Sequence, residues 1–435
     1  MSELPSAHSP LGGSGASRWI PCPGSVFMSS GVEDPSSEHA EIGSAAHTLA
    51  EICMTHTPEH AEGDPVNIED TTAGSKIKFI DAWEKIGNWY DGSAIVEGDP
   101  AEGAVIVDDD MATAVQVYLD EVDERYTDRR PGTNFFVEHR FHVPEIHEMM
   151  YGTSDLVYVD LERRTLHIWD YKNGAGIVVE APHNLQLKYY AVGVITSMSL
   201  WDKVDTVVTV VAQPNGYHYA GPIREFQYKT AELAKWMATE LQPAMELAMV
   251  SRDTKWGKHC RFCPARLRHC PAIAEAMDEL EEMTEMIQDK EGARKLKADE
   301  IARYMELFEL AKIVNKAVSE VAYARLEAGN KVPGYKLVSK RANRAFRAKM
   351  KPSPKAKKEI TIEQAASATF GDAAFETKLK TPAQIEKLPG GDRFCRTWAF
   401  KPDTGRTVAP IDDNRSGISR DTKSLFKPQK PKRSK

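Results

Sequence analysis

At 435 residues and 48.5 kDa the chain exceeds one ordinary core, so two or three folded units are expected. Hydrophobic residues at 41% and charged residues at 28% fit a folded globular protein, and no run reaches the roughly 18 apolar residues of a spanning helix, which excludes a membrane-embedded chain. The net charge of −8 argues against a protein that coats nucleic acid by bulk attraction, yet residues 339–358 carry +9 and residues 414–435 carry +7, which leaves −24 on the remainder. A polyanion would therefore be met by local basic surface and by metal ions.

In chain order, Met1-Ser2-Glu3-Leu4-Pro5-Ser6 has no basic region and no apolar run behind it, so a cytosolic chain with reduced cysteines is expected. Residues 17–31 are turn-rich, and a helix over Ser37–Cys53 carries His47. The Pro-, Gly- and acid-rich stretch 55–100 reads as an elaboration with a short helix around Lys76–Tyr90, followed by a helix over Met111–Tyr126. Strands are expected over Asn134–Val143, Gly152–Asp160 and Thr165–Lys172, then a helix over Pro182–Leu200 and a strand, buried on both faces, over Val204–Ala212. This is a mixed α/β core. A helix over Thr230–Ser251 leads into the cysteine cluster, and Leu307, Leu310, Val314, Ala317, Val321 and Ala324 mark a long helix stopped by Gly329-Asn330. Thr381-Pro382-Ala383-Gln384 fits a capping box that opens a small C-terminal unit. The last twenty residues read as disordered.

The most informative segment is 151–172, YGTSDLVYVDLERRTLHIWDYK. A turn centred between Glu162 and Arg163 makes paired residues sum to 325, which sets Asp155 opposite Asp170, Val157 opposite Ile168 and Val159 opposite Leu166. Lys172 falls on the same face as the two carboxylates. Like charges across a strand pair repel, and an ammonium beside them points to a divalent cation between them, Mg²⁺ or Mn²⁺ by the oxygen donor set. Such a site suits phosphodiester hydrolysis, with Lys172 orienting water or neutralising developing charge. The plainer reading is a solvated strand end with a surface ion pair. Gln186 and Tyr190 share a helix face at i and i+4 and could reach a phosphate or the attacking water, or simply pack. His47, following small residues, could supply a nitrogen ligand, or merely pack.

Cys260, Cys263 and Cys270 lie within eleven residues, one thiolate short of a tetrahedral site. Cys22 is the best fourth, because Cys53 lies mid-helix and Cys395 lies far off in the C-terminal unit. His259 or His269 could replace it around Zn²⁺. Lys340–Lys358, with Phe346 among Arg341, Arg344 and Arg347, could grip a phosphate backbone and stack a base, or form a solvated charged face. Trp169, Trp201 and Trp236 are expected in the core. No Gly-x-x-x-x-Gly-Lys-[Ser/Thr] loop is present, so a helicase partner would be a separate chain.

In this order, His47 in Gly43-Ser44-Ala45-Ala46-His47, Gly152-Thr153-Ser154-Asp155, Asp170-Tyr171-Lys172 and Gln186-x-x-x-Tyr190 resemble the successive motifs of the RecB-like branch of the PD-(D/E)XK nuclease superfamily. The opening HSPLGGSGASRWIPCPGS, the cysteine cluster, VPGYKLV, TPAQIEKL and APIDDNRSG resemble, more narrowly, a phage and prophage family of formerly unknown function. The resemblance implies a restriction-endonuclease-like α/β core in which Asp155, Asp170, the Tyr171 carbonyl and His47 bind Mg²⁺ or Mn²⁺. Lys172 would be the catalytic lysine, Gln186 and Tyr190 the bordering motif, and Glu138 a less secure acidic position. It further implies a 4Fe-4S cluster on Cys22, Cys260, Cys263 and Cys270, with Zn²⁺ the alternative, tying the two ends of the domain together.

The expected organisation is a nuclease domain over 1–275 with a helical insertion at about 54–130, a helical arm over 276–330, a small basic unit over 331–410 and a disordered basic tail over 411–435. The expected activity is that of a metal-dependent deoxyribonuclease, an exonuclease by resemblance, in phage DNA recombination, replication or end processing. It would work on DNA in the bacterial cytoplasm beside a phage single-strand-binding or annealing protein. The rivals are a non-catalytic DNA-binding scaffold on the same fold and a site-specific endonuclease.

Overall fold

The computed structural model describes residues 9–32, 38–55, 79–101, 103–267, 270–286, 296–339, 345–347, 349–350, 358, 360–375, 379–400 and 406–410. The tail 411–435, most of the basic run (340–344 and 351–357) and His269 lie outside these residues. The chain divides into two units, Met1–Ile313 and Val314–Lys435. Among the described residues no helix is long and apolar enough to cross a membrane.

The first unit opens with short helices α1 (Ala16–Trp19) and α2 (Gly24–Ser29), followed by α3 (Glu38–Thr55). The helix expected around Lys76–Tyr90 is not there: over its described part only Ala82–Lys85 coils, as a single 3-10 turn. Gly87 and Gly92 take φ of +93° and +102°, and Asp91 Oδ1 accepts from the amides of Ser93 and Ala94, so the chain reverses repeatedly. The result is a small antiparallel sheet of β1 (Trp89–Tyr90), β2 (Ile95–Val96) and β3 (Val105–Ile106). Asp108 then caps α4 (Asp109–Arg125) by accepting from Met111 N at 2.8 Å.

The main sheet runs in order β4 (Phe135–His142), β5 (Tyr151–Asp160), β6 (Thr165–Tyr171), β7 (Thr206–Ala212) and β8 (Ile223–Lys229). All neighbours are antiparallel except β6 and β7, which are parallel because helix α5 (Leu185–Ser197) makes the crossover. The expected register holds, with Val157 opposite Ile168 and Val159 opposite Leu166. Strand β7 is buried on both faces: Val207 and Val211 enter one core, Val208, Val210 and Ala212 the other. Strand β8 was not foreseen. Its alternation of exposed Glu225 and Lys229 with buried Arg224 and Tyr228 suits an edge strand, whose charges mask the period-2 signal.

The sheet is thus the middle of three layers. One face packs on α3 and α4, the other on α1, α5, α6 (Thr230–Trp236) and α7 (Gln242–Val250). A π-helical turn, Met237–Leu241, joins α6 to α7 within the expected Thr230–Ser251 helix. Trp169 and Trp236 are buried, and Trp201 packs half-buried against the same core. Helices α8 (Pro271–Met286) and α9 (Ala298–Glu327) follow, and α9 ends before Gly329, whose φ of +79° fits the stop read there.

In the second unit, Tyr335–Ser339 pairs with Arg406–Pro410, Ala345–Phe346 with Ala399–Phe400 and Lys349–Met350 with Ile360–Thr361. The capping reading holds: Thr381 N donates to Gln384 Oε1 at 2.9 Å, with Pro382 opening the helix. Phe346, considered as a ring for stacking a base, instead packs edge-on against Phe394 in this unit's own core, at 6.0 Å between ring centroids.

Candidate active site

The site lies where two strands part. Strand β5 pairs with β4 along its length, through His142 opposite Tyr151, but pairs with β6 only from Leu156 opposite Trp169 onward. Strand β6 meanwhile stays with β7 as far as Tyr171 opposite Ala212. Beyond Leu156 and Trp169 the hairpin therefore opens into a fork, and Asp155 and Asp170 are its first residues on either side. The Tyr171 amide, which the missing ladder would leave unpaired, donates to Asp155 Oδ2 at 2.6 Å.

On the α3 side, His47 Nδ1 lies 3.6 Å from Asp155 Oδ2 and 3.9 Å from Glu138 Oε1. Ligand atoms of His47, Glu138 and Asp155 all lie within 4.8 Å of one another, the one such trio among the described residues. These three line a small open cleft together with Glu51, Met54, Tyr118 and Tyr171. Glu138 falls between the pairs Val137–Leu156 and His139–Ser154, and its φ of +47° is rare for a residue with a side chain. Beneath the trio the buried Tyr171 ring meets His47 edge-on at 5.4 Å and stacks on Tyr118 at 5.2 Å, fixing α3 and α4 to the end of β6. Tyr171 thus enters the site through its amide and its ring.

On the α5 side, Lys172 Nζ lies 2.9 Å from Asp170 Oδ1 and 3.4 Å from Gln186 Oε1. Gln186 Nε2 donates to Asp170 Oδ1 at 3.0 Å and stands 3.0 Å from the Tyr190 hydroxyl. Asn184 sets this arrangement up by capping α5, accepting from the amides of Gln186 and Leu187. Asp170 is 1% exposed and its Oδ2 is buried without a partner. A bare carboxylate oxygen at that depth is costly, which makes it a natural acceptor for a cation.

The charges bear on one another across the fork. Burial pushes the carboxyls of Asp155 and Asp170 up, against the pull of His47 on the first and Lys172 on the second. Burial draws His47 and Lys172 down, but the carboxylates outweigh it: Asp155 and Glu138 raise His47 to about 9, and Asp170 and Asp155 raise Lys172. Lys172 is therefore an ammonium here, suited to orienting and neutralising rather than to removing a proton.

The residues singled out in sequence thus gather at one fork, with a division that the paired-carboxylate reading did not contain. Asp155 joins His47 and Glu138 on one side; Asp170 joins Lys172, Gln186 and Tyr190 on the other. Two glycines hold this arrangement and were not singled out. A Cβ at Gly13 would lie 2.6 Å from Tyr190 Cε1, and one at Gly193 would lie 2.2 Å from Phe141 Cε2. Gly13 lets the N-terminal segment press on Tyr190, and Gly193 lets α5 settle on β4. The Gly12-Gly13 pair was the available signal for the first; an isolated glycine in an apolar helix gave none for the second.

The chain belongs to the family described as Protein of unknown function (DUF2800). Its model matches residues 8–416, which takes in every residue of the fork and all six cysteines. No solved structure matches the chain.

Four cysteines of this family member come together from before and after the main sheet in sequence. Cys22, Cys260 and Cys263 are buried, Cys270 is half-buried, and none is in a disulfide. Burial pushes Cys22 up, and charge on Cys263 and Cys270 adds to it; Cys260 is pushed up to about 11 by burial and by charge on the other three. The N-terminal segment reaches this place because Gly24 N donates to Asp253 O at 2.8 Å, where a Cβ would strike that carbonyl. Lys255 N donates to Cys22 Sγ at 3.2 Å and Gly257 N to Cys260 Sγ at 3.4 Å. His259, the alternative nitrogen ligand, has Nε2 2.7 Å from the Lys255 carbonyl. Cys53 and Cys395 are buried elsewhere, in the α3–α4 core and in the second unit.

Proposed function

We propose that the chain is a metal-dependent deoxyribonuclease that hydrolyses DNA phosphodiester bonds. The observation that carries this reading is the fork. It sets a histidine and two carboxylates around one cleft and, beside it, a network of buried Asp170 with half-buried Lys172 and Gln186. The donor set fits a hard divalent cation: two carboxylates and an imidazole within reach of one ion, with Asp170, whose Oδ2 has no partner, outside that trio on the other side of the fork. His47, Glu138 and Asp155 would hold Mg²⁺ or Mn²⁺, which would supply Lewis-acid neutralisation of phosphate charge.

The chain's own groups do the rest. Lys172, held by Asp170 and Gln186, offers an ammonium toward charge that grows on the phosphoryl oxygens, and such preorganised charge is worth roughly 10²–10³ in rate. Gln186, fixed between Asp170 and Tyr190, is placed to orient an incoming water. Exonucleolytic action, in phage recombination, replication or end processing, is what the resemblance adds. The cysteines would hold a 4Fe-4S cluster. Backbone amides already donate to two of the four sulfurs. A single tetrahedral zinc on the same thiolates is the alternative.

The test is degradation of end-labelled single-stranded, double-stranded and closed circular DNA with Mg²⁺, Mn²⁺ or EDTA. Wild type should degrade linear DNA with metal only, and Lys172→Ala and Asp170→Asn should each be at least about a hundredfold slower. Discrete fragments from circles would convert the reading to a site-specific endonuclease. Absence of cleavage with salt-sensitive DNA binding intact would leave a non-catalytic scaffold.

A further inference from the structure

The loop between β7 and β8, residues 213–222, leaves the sheet at the same end as the fork. Ala212 O, the last carbonyl of β7, accepts from Lys172 N at 2.7 Å. Tyr217 and Tyr219 on this loop are each 91% exposed, more than any other large apolar side chain among the described residues. Between them His218 turns inward. Its Nδ1 accepts from Ala220 N at 3.0 Å and its Nε2 lies 3.5 Å from Glu180, so the alternation that buries His218 presents both tyrosines to solvent. The Tyr219 ring also leans on His218, with 4.3 Å between centroids.

The loop is not a loose excursion. Gln213 is 1% exposed and its side-chain amide makes four bonds: Nε2 donates to Gly174 O and Ile177 O at 2.7 Å each, and Oε1 accepts from Val179 N at 3.0 Å and Arg224 Nη2 at 2.8 Å. Asn215 Nδ2 donates to Asn173 O at 3.0 Å. These bonds fasten the base of the tyrosine loop to the segment that follows Lys172 directly. Gly216 sits where a Cβ would lie 2.6 Å from the Gln213 amide carbon, so the turn closes on the clamp. Fully satisfied buried polar networks of this kind rigidify what they hold.

We propose that Tyr217 and Tyr219 form a stacking platform for unpaired nucleobases, making single-stranded DNA the strand form this site receives. The proposal rests on the nuclease reading for the polyanion it names. Aromatic rings bind single strands with little regard to sequence, because every base has a π-face. Stacking on a ring does not draw on net positive charge, which the chain lacks outside its two basic stretches, where the sum is −24. No acidic side chain lies between 213 and 222 to repel a phosphate, and the nearby Glu180 faces His218.

The experiment is fluorescence anisotropy of labelled oligonucleotides on the full chain in EDTA, where the metal-dependent reaction is silent. The probes are a single-stranded oligothymidine, the same oligomer with abasic residues, and a blunt hairpin duplex. Tyr217→Ala and Tyr219→Ala should each weaken binding of the base-bearing single strand roughly tenfold. Both should bind the duplex as wild type does and should lose the preference for bases over abasic sites, whereas Tyr217→Phe and Tyr219→Phe should keep it. Equal affinity of wild type and alanine variants for the single strand, or equal losses on base-bearing and abasic strands, would overturn the platform. Cleavage assays with Mn²⁺ separate the two ideas. Wild type that binds through the tyrosines without cutting sinks the nuclease reading alone; wild type that cuts, with alanine variants that bind and cut unchanged, sinks the platform alone.

Discussion

Glu138 illustrates what a single residue gives up for position. Its left-handed backbone costs a residue with a Cβ about 1–2 kcal/mol, and in exchange its carboxylate reaches the cleft that holds His47 and Asp155. Glu138→Gly should therefore keep or raise the urea midpoint of unfolding while weakening Mn²⁺ binding at least tenfold by titration calorimetry. A clear loss of stability with unchanged Mn²⁺ affinity would show that the residue serves the fold instead. At this scale much could be read from sequence. The pairing sum of 325 places Asp155 and Asp170 at the mouth of one hairpin because a turn and a period-2 pattern leave few registers. What could not be read was that pairing stops there. Strand parting depends on the Asp155 carboxylate replacing a backbone acceptor for Tyr171, and no pattern of apolar residues encodes that exchange. Glu138 was only weakly legible for a related reason, since a strained conformation leaves no periodic trace.

Among the elements, β6 carries the site at one end and a pH liability along its length. His167 lies opposite Tyr158, meets Tyr126 edge-on at 5.4 Å and has a buried Nδ1 with no partner. Burial, aided by the charge of Arg125, holds its pKa near 4, below the ordinary 6.5. The unfolded chain thus takes up a proton between about pH 6.5 and 4 that the folded chain refuses, so stability falls as pH drops through that window and is unaffected above it. Unfolding in urea at pH 7 and pH 4.5 should differ by about 2 kcal/mol from this residue, and His167→Phe should flatten the slope. An unchanged slope would mean the imidazole finds a partner on protonation. The other elements were legible in proportion to their periodicity. β4 to β7, α4 and α5 announce themselves by apolar alternation or helical spacing, whereas β8 hides behind edge charges and the glycine-punctuated residues 79–106 defeat a helical reading.

For the molecule as a whole, the N-terminal segment is hydrogen-bonded to the segment that follows α7, through Gly24 N to Asp253 O and Lys255 N to Cys22 Sγ. Cys22, before the core, meets Cys260, Cys263 and Cys270, after it. Anaerobically purified protein should carry about four iron atoms per chain and absorb in the visible, and Cys22→Ser should lose that absorption together with thermal stability. One zinc per chain with no visible band would replace the cluster by an ion, and no bound metal with unchanged melting would remove the clasp altogether. Cysteine spacing in the sequence suggested Cys22 as a fourth ligand, and the cluster itself came from the resemblance; the glycine contact of Gly24 against Asp253 left no trace there. The order of synthesis then acquires a meaning. Every residue of the fork is translated before Cys260, so a message interrupted just before that codon yields a fragment with all the fork residues and without Cys260, Cys263 and Cys270. Such a fragment should share the lability of Cys22→Ser. Broken translation would then leave behind short-lived debris in place of a lasting remnant that carries the cleft.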